Sequence, residues 1–221
     1  MGIMTRLLDA MFPYIPACVG CGAEKGAVDS LCPKCAEALG ELEAGSAEAP
    51  GFSAYALYWY DGLAARIVRG YKYEDKRWLS RFMGGRLACA ARCIGRFDAV
   101  CPVPLHPKRR RKRGFDQSEL LARRIAEELR IPFVRGAQRT RNTPTQTKLN
   151  RQQRQENVRD AFAPAEPVSG RVLLVDDVLT TGATAAACAQ ALIKAGADSV
   201  FLLTFARAKE ADGGFTDAKR G

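Results

Sequence analysis

The sequence predicts an α/β fold, a mostly parallel sheet flanked by helices, with a small four-cysteine module in front of it. Three observations carry this prediction. Strand-like apolar runs alternate with stretches of helical periodicity between Phe52 and Phe205. Four cysteines near the N-terminus fall as two closely spaced pairs. A buried-strand run, Val172 to Val175, meets two aspartates, a Thr- and Gly-containing turn and then an Ala-rich helix.

In chain order, Met1 to Phe12 is too short and too interrupted by Arg6 and Asp9 for a signal peptide. Residues 3–11 fit a short apolar helix before Pro13. The pattern Cys18-x2-Cys21-x10-Cys32-x2-Cys35 spans a module of residues 16–40. Four thiolates at that spacing can surround Zn²⁺ tetrahedrally, and a closed shell makes the metal structural. The competing reading, redox thiols or disulfides, is disfavoured for a cytoplasmic chain. Cys89, Cys93, Cys101 and Cys188 read as buried free thiols. Glu41 to Gly51 reads as a linker, and Phe52 to Tyr60 as one or two strands.

Residues 62–73 and 76–94 carry helical periodicity, Asp98 to Pro104 reads as a short buried strand, and the basic run after it as a loop. Gln117 to Arg130 is helical, Ile131 to Val134 a strand, and 139–160 polar, basic and partly mobile. Val172–Val175 and Val200–Phe205 are strands around a helix over Thr184–Ala195. The expected organisation is a helix and zinc module at 1–45, a main domain at 52–206 and a disordered tail at 207–221. No run of about 18 apolar residues occurs, so no transmembrane helix is expected and a cytoplasmic setting is the default.

Charge narrows the function. Across the 221 residues, 34 Lys and Arg stand against 24 Asp and Glu, a net of +10. Residues 101–160 hold 16 basic and 6 acidic side chains, so this one segment carries the whole excess. Its densest part is the six-residue run Lys108, Arg109, Arg110, Arg111, Lys112 and Arg113. Such a run is either solvated or meets anions, and phosphates are the natural partner. The single histidine, His106, excludes multi-histidine metal chemistry and reads as a loop residue without a special role. Lys72 reads equally as a solvated charge or a ligand, and Tyr58, Trp59, Tyr60, Tyr71 and Tyr73 as core rather than stacking groups.

The stretch Asp176, Asp177, Val178, Leu179, Thr180, Thr181, Gly182, Ala183 and Thr184 carries the chemistry. The carboxyl end of a strand is where an open α/β sheet takes its ligand. Amides at a helix start, with the hydroxyls of Thr180, Thr181 and Thr184, form a cradle for phosphate, and Gly182 lets the backbone come close. Adjacent carboxylates repel phosphate but accept hydrogen bonds from a diol, and carboxylate beside phosphate attracts Mg²⁺. A ligand with a ribose diol and a 5′-phosphate satisfies every part. No Gly-Lys-Ser/Thr follows, so this is no Walker loop, and no G-x-G-x-x-G occurs. The bland alternative is a capped helix after a strand, with the aspartates serving its dipole.

VLLVDDVLTTGAT resembles the 5-phosphoribosyl-1-pyrophosphate (PRPP) motif of type I phosphoribosyltransferases. Over residues 10–206 the chain is identified as a member of the ComF family, also called the GntX or competence protein F family. The four-cysteine module resembles that family's zinc element, and Tyr71-Lys72-Tyr73 its Lys-Phe/Tyr element. Cys101-Pro-Val-Pro-Leu105, Arg113-Gly-Phe-Asp-Gln117, Arg139-Thr-Arg-Asn-Thr-Pro-Thr-Gln146 and Arg154-Gln-Glu-Asn-Val158 resemble its further segments in order. Asp116 departs from the usual Asn and sets a carboxylate beside the basic run.

The resemblance implies a type I phosphoribosyltransferase-like domain that binds PRPP with Mg²⁺. Asp176 and Asp177 would hold the ribose hydroxyls and act in catalysis, and Thr180 to Thr184 would hold the 5′-phosphate. The turn at Pro104, with Lys108, Arg109 and Arg113, would receive pyrophosphate, and 139–157 would form a hood. It also implies a role in natural competence and use of external DNA, with DNA-uptake components as partners. Two functions stay open: phosphoribosyl transfer to an acceptor, or handling of single-stranded DNA with PRPP as a regulatory ligand. For the second, Lys108 to Arg113 with Arg151 and Arg154 are the candidate DNA contacts.

Overall fold

The computed structural model describes residues 17–23, 31–49, 52–141, 161–209 and 216–217. Its elements are α1 (Pro33–Gly40), β1 (Glu43–Ala49), β2 (Phe52–Trp59), α2 (Gly62–Tyr73), α3 (Leu79–Ile94) and β3 (Ala99–Pro102). They continue with α4 (Pro107–Arg113), α5 (Gln117–Leu129), β4 (Ala137–Arg139), β5 (Phe162–Pro164), β6 (Arg171–Leu179), α6 (Ala183–Lys194), β7 (Ser199–Arg207) and β8 (Thr216–Asp217).

The main sheet has six strands in the order β3-β6-β7-β2-β1-β8. β3, β6, β7 and β2 run parallel, and β1 and β8 add antiparallel strands at one side. Parallel strands are buried on both faces, which explains why Val172 to Val175 is apolar without alternation. On one face α2, α3 and α5 cover the sheet around Met83, Leu87, Leu121, Ile125, Leu173 and Phe205. On the other, α6 and β4 cover Val172, Leu174 and Leu202. α3 and α5 approach closely at Gly84, where a Cβ would lie 2.8 Å from that of Arg124. This is a mostly parallel α/β sheet flanked by helices, with a four-cysteine module ahead of it in the chain.

Several expectations shift. Glu41 to Gly51 contains strand β1 rather than a linker. Its Ala-, Glu- and Gly-rich sequence has little strand propensity, and pairing with β2 from Glu43↔Tyr58 to Ala49↔Phe52 forms it. The basic run is helix α4 rather than a loop. Pro107 opens it, His106 Nδ1 accepts the Lys108 amide at 3.2 Å, and Gly114 at φ 78° closes it. His106 therefore has a structural role as the helix cap. Ile131 to Val134 forms only a single parallel bridge, Val100↔Phe133. Cys89 and Cys93 lie on the exposed face of α3, while Cys101 and Cys188 are buried as expected. Arg207 sits inside β7, 5% exposed, with its guanidinium 4.1 Å from the Trp59 ring centroid. Thr216 and Asp217 pair with β1 as β8. The apolar segment 3–11 and most of the basic segment 139–160, with Arg151 and Arg154, lie outside the described residues. That segment's described ends, Arg139 and Ala161, are joined through β4 and β5, and Thr140 N donates to Ala161 O at 2.9 Å. No helix among the described residues is long and apolar enough to cross a membrane.

Candidate functional site

The carboxyl ends of β3 and β6 lie side by side and set the site. β6 continues through the two aspartates to Leu179, four residues beyond the apolar run. After β3, the Val103 amide donates to Val175 O at 2.9 Å, which keeps the turn at Pro104 and Leu105 against the start of the aspartate pair. Asp116 then fastens that turn to α5. Its Oδ2 accepts the Leu105 amide at 3.0 Å and its Oδ1 the Glu119 amide at 3.1 Å. Each oxygen accepts, a pattern the single carbonyl oxygen of Asn cannot copy. Burial pushes the Asp116 carboxyl up, against those two amides. The Asp116 side chain is thus turned inward as a helix cap.

The two aspartates have different surroundings. Asp177 Oδ1 lies 2.7 Å from Lys72 Nζ of α2, with the two side chains 7% and 18% exposed. Burial pulls the Lys72 ammonium down, but the Asp177 carboxylate outweighs it, and the net displacement is upward. Lys72 is therefore no solvated charge. Its neighbour Tyr71 is fully buried, donates its hydroxyl to Gln117 O at 2.8 Å and meets Phe115 edge-on at 5.6 Å. Asp176 Oδ1 accepts the Ser118 hydroxyl at 2.8 Å and the Asp177 amide at 2.9 Å. Burial and the Asp177 charge push Asp176 up to about 7, against Lys72, Ser118 and that amide.

Cations gather on the Asp176 side. Burial lowers Arg139, with Arg109 next as a repelling neighbour and Asp176 opposing. Burial also lowers His106, with Arg139, Lys108 and Arg109 adding repulsion. Four groups from α4 and β4 thus share one electropositive region beside a carboxylate, which an anion would relieve. Arg110 points elsewhere, 3.7 Å from Glu119, and Glu119 also holds Arg123 at 2.8 Å and Arg135 at 2.7 Å. Burial pushes Glu119 up, but these guanidiniums outweigh it and hold it below the usual range.

Gly182 caps α6 in the left-handed region at φ 74°, and no side chain caps that end. The Ala186 amide is the first to close a helical turn, onto Gly182 O at 2.8 Å, so the amides of Ala183, Thr184 and Ala185 precede the ladder. Thr180 is exposed, and Thr181 and Thr184 are half-buried. Val178 packs on the larger cluster and Leu179 is 3% exposed in the smaller one, so both can offer a ligand only main-chain atoms. A Val at 182 is expected to cost about 1–2 kcal/mol of strain. Thermal melts of Gly182→Val should shift down by a few degrees and phosphate affinity should fall at least about tenfold. Unchanged affinity would remove this turn from the site.

Helical periodicity over 62–73 marks the apolar face of α2, but nothing local points Lys72 at Asp177. Ser118 and Arg139 were likewise not singled out as groups around Asp176, because their roles depend on chain segments far away in sequence. A divalent ion at Asp177 Oδ1 would have to displace the Lys72 ammonium, so Asp177 as built does not fit a protein-held Mg²⁺.

The four sulfurs of Cys18, Cys21, Cys32 and Cys35 lie within 4.8 Å of one another, with Cys21 and Cys32 3.8 Å apart. About 3.8 Å is the sulfur separation in a tetrahedron with bonds of about 2.3 Å, so the cluster fits one metal ion. Burial raises Cys18, but amides of Cys32, Cys21 and Gly20 outweigh it and bring it to about 6. Burial and the neighbouring thiols push Cys35 up to about 12.

Comparison with known proteins follows the same lines. Residues 116–219 match the family described as phosphoribosyl transferase domain. Competence protein F of Haemophilus influenzae is 30% identical over 210 residues, 89% of this chain and 86% of that protein. DNA utilization protein YhgH of Escherichia coli is 42% identical over 105 residues, 47% of this chain and 46% of that protein. Among solved structures, adenine phosphoribosyl transferase from Trypanosoma brucei aligns over 76% of this chain and 90% of its own at 13% identity and a TM-score of 0.41.

Proposed function

The chain belongs to the competence protein F family, and from that premise we propose that it binds PRPP and transfers the phosphoribosyl group to an acceptor. The observation that carries this reading is the path from Asp176 at the end of β6 to the left-handed Gly182 and the uncapped start of α6. Among the described residues Asp176 commits Oδ1 to Ser118 and the Asp177 amide, and its Oδ2 is the acceptor offered to the ribose diol. The turn from Thr180 to Thr184 takes the 5′-phosphate. Arg109, Arg139 and Lys108, grouped around His106, take the pyrophosphate.

In the transfer, the bond from C1 of the ribose to pyrophosphate oxygen breaks and its electron pair leaves with pyrophosphate. A lone pair of the acceptor forms the new bond to C1, and the acceptor's proton goes to solvent. The guanidiniums stabilise the charge that builds on the leaving group, and the nearby carboxylate stabilises the oxocarbenium-like sugar. Any Mg²⁺ belongs to the PRPP ligand in this reading, and no residue of the chain is assigned to it. The four cysteines hold structural Zn²⁺, and the proposed setting is the cytoplasm, in the handling of incoming DNA with DNA-uptake components. The names of the relatives support that association.

The test is calorimetric titration of PRPP, with Mg²⁺ in the buffer, into the zinc-loaded wild type and Asp176→Asn/Asp177→Asn. Binding by wild type alone supports the reading, while no binding by a folded wild type rejects it. A second reading, single-stranded DNA handling with PRPP as a regulator, is favoured by the exposed Lys108 and Arg111 on α4. Replacing Lys108 to Arg113 by Ser is expected to flatten the salt dependence of DNA binding under that reading, and an unchanged slope counts against it.

A further inference from the structure

We propose that Lys72 is the resident cation of the aspartate pair, holding at Asp177 the place that a divalent metal ion would otherwise take. The ammonium comes from α2, outside the residues 116–219 that match the phosphoribosyl transferase domain, so the N-terminal half of the chain completes the site. Its reach is fixed. Tyr71, one residue before it, is fully buried and tied to Gln117 O, and Gly70 lies against Lys76 and Leu79, where a Cβ would meet their side chains at 3.2 and 3.4 Å. Lys72 therefore enters from a rigid helix end and closes on Asp177 at 2.7 Å in surroundings that leave the carboxylate 7% exposed.

Charge makes the case. Asp176 and Asp177, if both ionised, offer two negative charges, which suits a divalent ion. The Lys72 ammonium cancels one of them. Further groups beside the pair are Ser118, Tyr71 and Cys188, which are neutral, and Arg139, a cation whose burial Asp176 partly offsets. The site is thus compensated by the chain itself, and a metal would add excess positive charge beside Arg139 and Arg109. Lys72 acts on a ligand through Asp177, which makes it a positioning residue rather than a catalytic one. The inference uses the proposed PRPP site only as its location.

Its test leaves PRPP out. Mn²⁺ binding to the full zinc-loaded chain is measured by electron paramagnetic resonance. Wild type and Lys72→Arg, which keep the cation, are expected to show no tight Mn²⁺ site. Lys72→Met should gain at least about tenfold in Mn²⁺ affinity, because Asp177 then loses its cation and the charge of both carboxylates acts on the ion. Lys72→Met/Asp177→Asn should lose that gain, which separates charge compensation from a general loosening. Equal Mn²⁺ binding by wild type and Lys72→Met, or a gain that survives in the double variant, overturns the proposal. Should Lys72→Met fail to fold, wild type decides the matter. Its Lys72 ammonium resonance is expected to stay fixed as Mg²⁺ is raised through the millimolar range, and displacement of that resonance overturns the proposal. Failure of wild type to bind PRPP would reject the proposed function and leave these outcomes readable.

Discussion

Asp176→Asn is expected to make the ligand-free protein more stable above pH 7 while removing the proposed hold on PRPP. The carboxyl stands at about 7 in the fold against 3.8 as its ordinary value, chiefly through burial and then the Asp177 charge. The sign follows from linkage. Between these two values the folded state keeps a proton that the unfolded chain has released, so stability falls as pH rises through the window. Below about pH 4 the group costs nothing, and above about pH 7 the whole cost of a buried charge is present. Asn keeps a carbonyl oxygen for the Ser118 hydroxyl and the Asp177 amide, so the local bonds survive. One pKa unit corresponds to about 1.4 kcal/mol, so the displacement bounds the gain at pH 8 at roughly 4 kcal/mol, and the weaker bonds that Asn makes leave on the order of 2 kcal/mol, or roughly 5 °C in Tm. At pH 4 the gain should vanish. Melts at the two pH values, paired with PRPP titration, check both halves. A gain that is flat with pH, or a loss at pH 8, would show that Asp176 is not held against its own ionisation. A residue that destabilises the empty fold in this way is kept for what it binds, which is the trade expected at a functional site.

The parallel sheet and its helices were legible because their signals are local. Leu63, Ile67 and Val68 mark the buried face of α2, Leu120, Leu121 and Ile125 that of α5, and the unbroken apolar run of β6 marks a central strand. The aspartates and Gly182 were legible because strand, turn and helix start follow one another directly in the chain. α4 was missed because six like charges outweighed the cap signals on either side of them, Pro107 and Gly114, and these in fact decide the structure. β1 was missed because nothing in EAGSAEA favours a strand until β2 lies beside it. Lys72 was undecidable for a different reason. A lysine at a helix end is solvated by default, and only the packing of α2 on the sheet aims it at Asp177. The same holds for Asp116, whose two-sided capping depends on the Leu105 amide from another segment.

Removing the metal from the cysteine module is expected to reach beyond the module, in a graded order. Residues 17–23 and 31–40 have little core of their own. α1 is eight residues long and buries only Cys35 and Leu39. Such a segment would hold its shape through the proposed ion, since binding of a structural zinc is folding free energy. Yet Cys18, Leu31, Cys35 and Leu39 belong to the same buried cluster as Leu63, Ile67 and Val68 of α2. Gly20 is where they meet, since a Cβ there would lie 2.7 Å from Cys35 Sγ and 3.3 Å from Leu63 Cδ1. Loss of the metal therefore uncovers one side of α2, the helix that carries Lys72 to the site. Chelation, or Cys18→Ala with Cys35→Ala, should lower Tm on the order of 10 °C. Amide exchange should rise most in 31–40, less in 62–73 and least in 171–179, where β6 lies between two parallel neighbours. PRPP affinity should weaken only through the middle step, by a few fold. A uniform rise across all three segments would mean that the module and the sheet unfold as one unit. No change in 31–40 would mean that the four thiols do not share an ion. The graded outcome alone fits a module that is separate in its metal and joined to the site through a single helix.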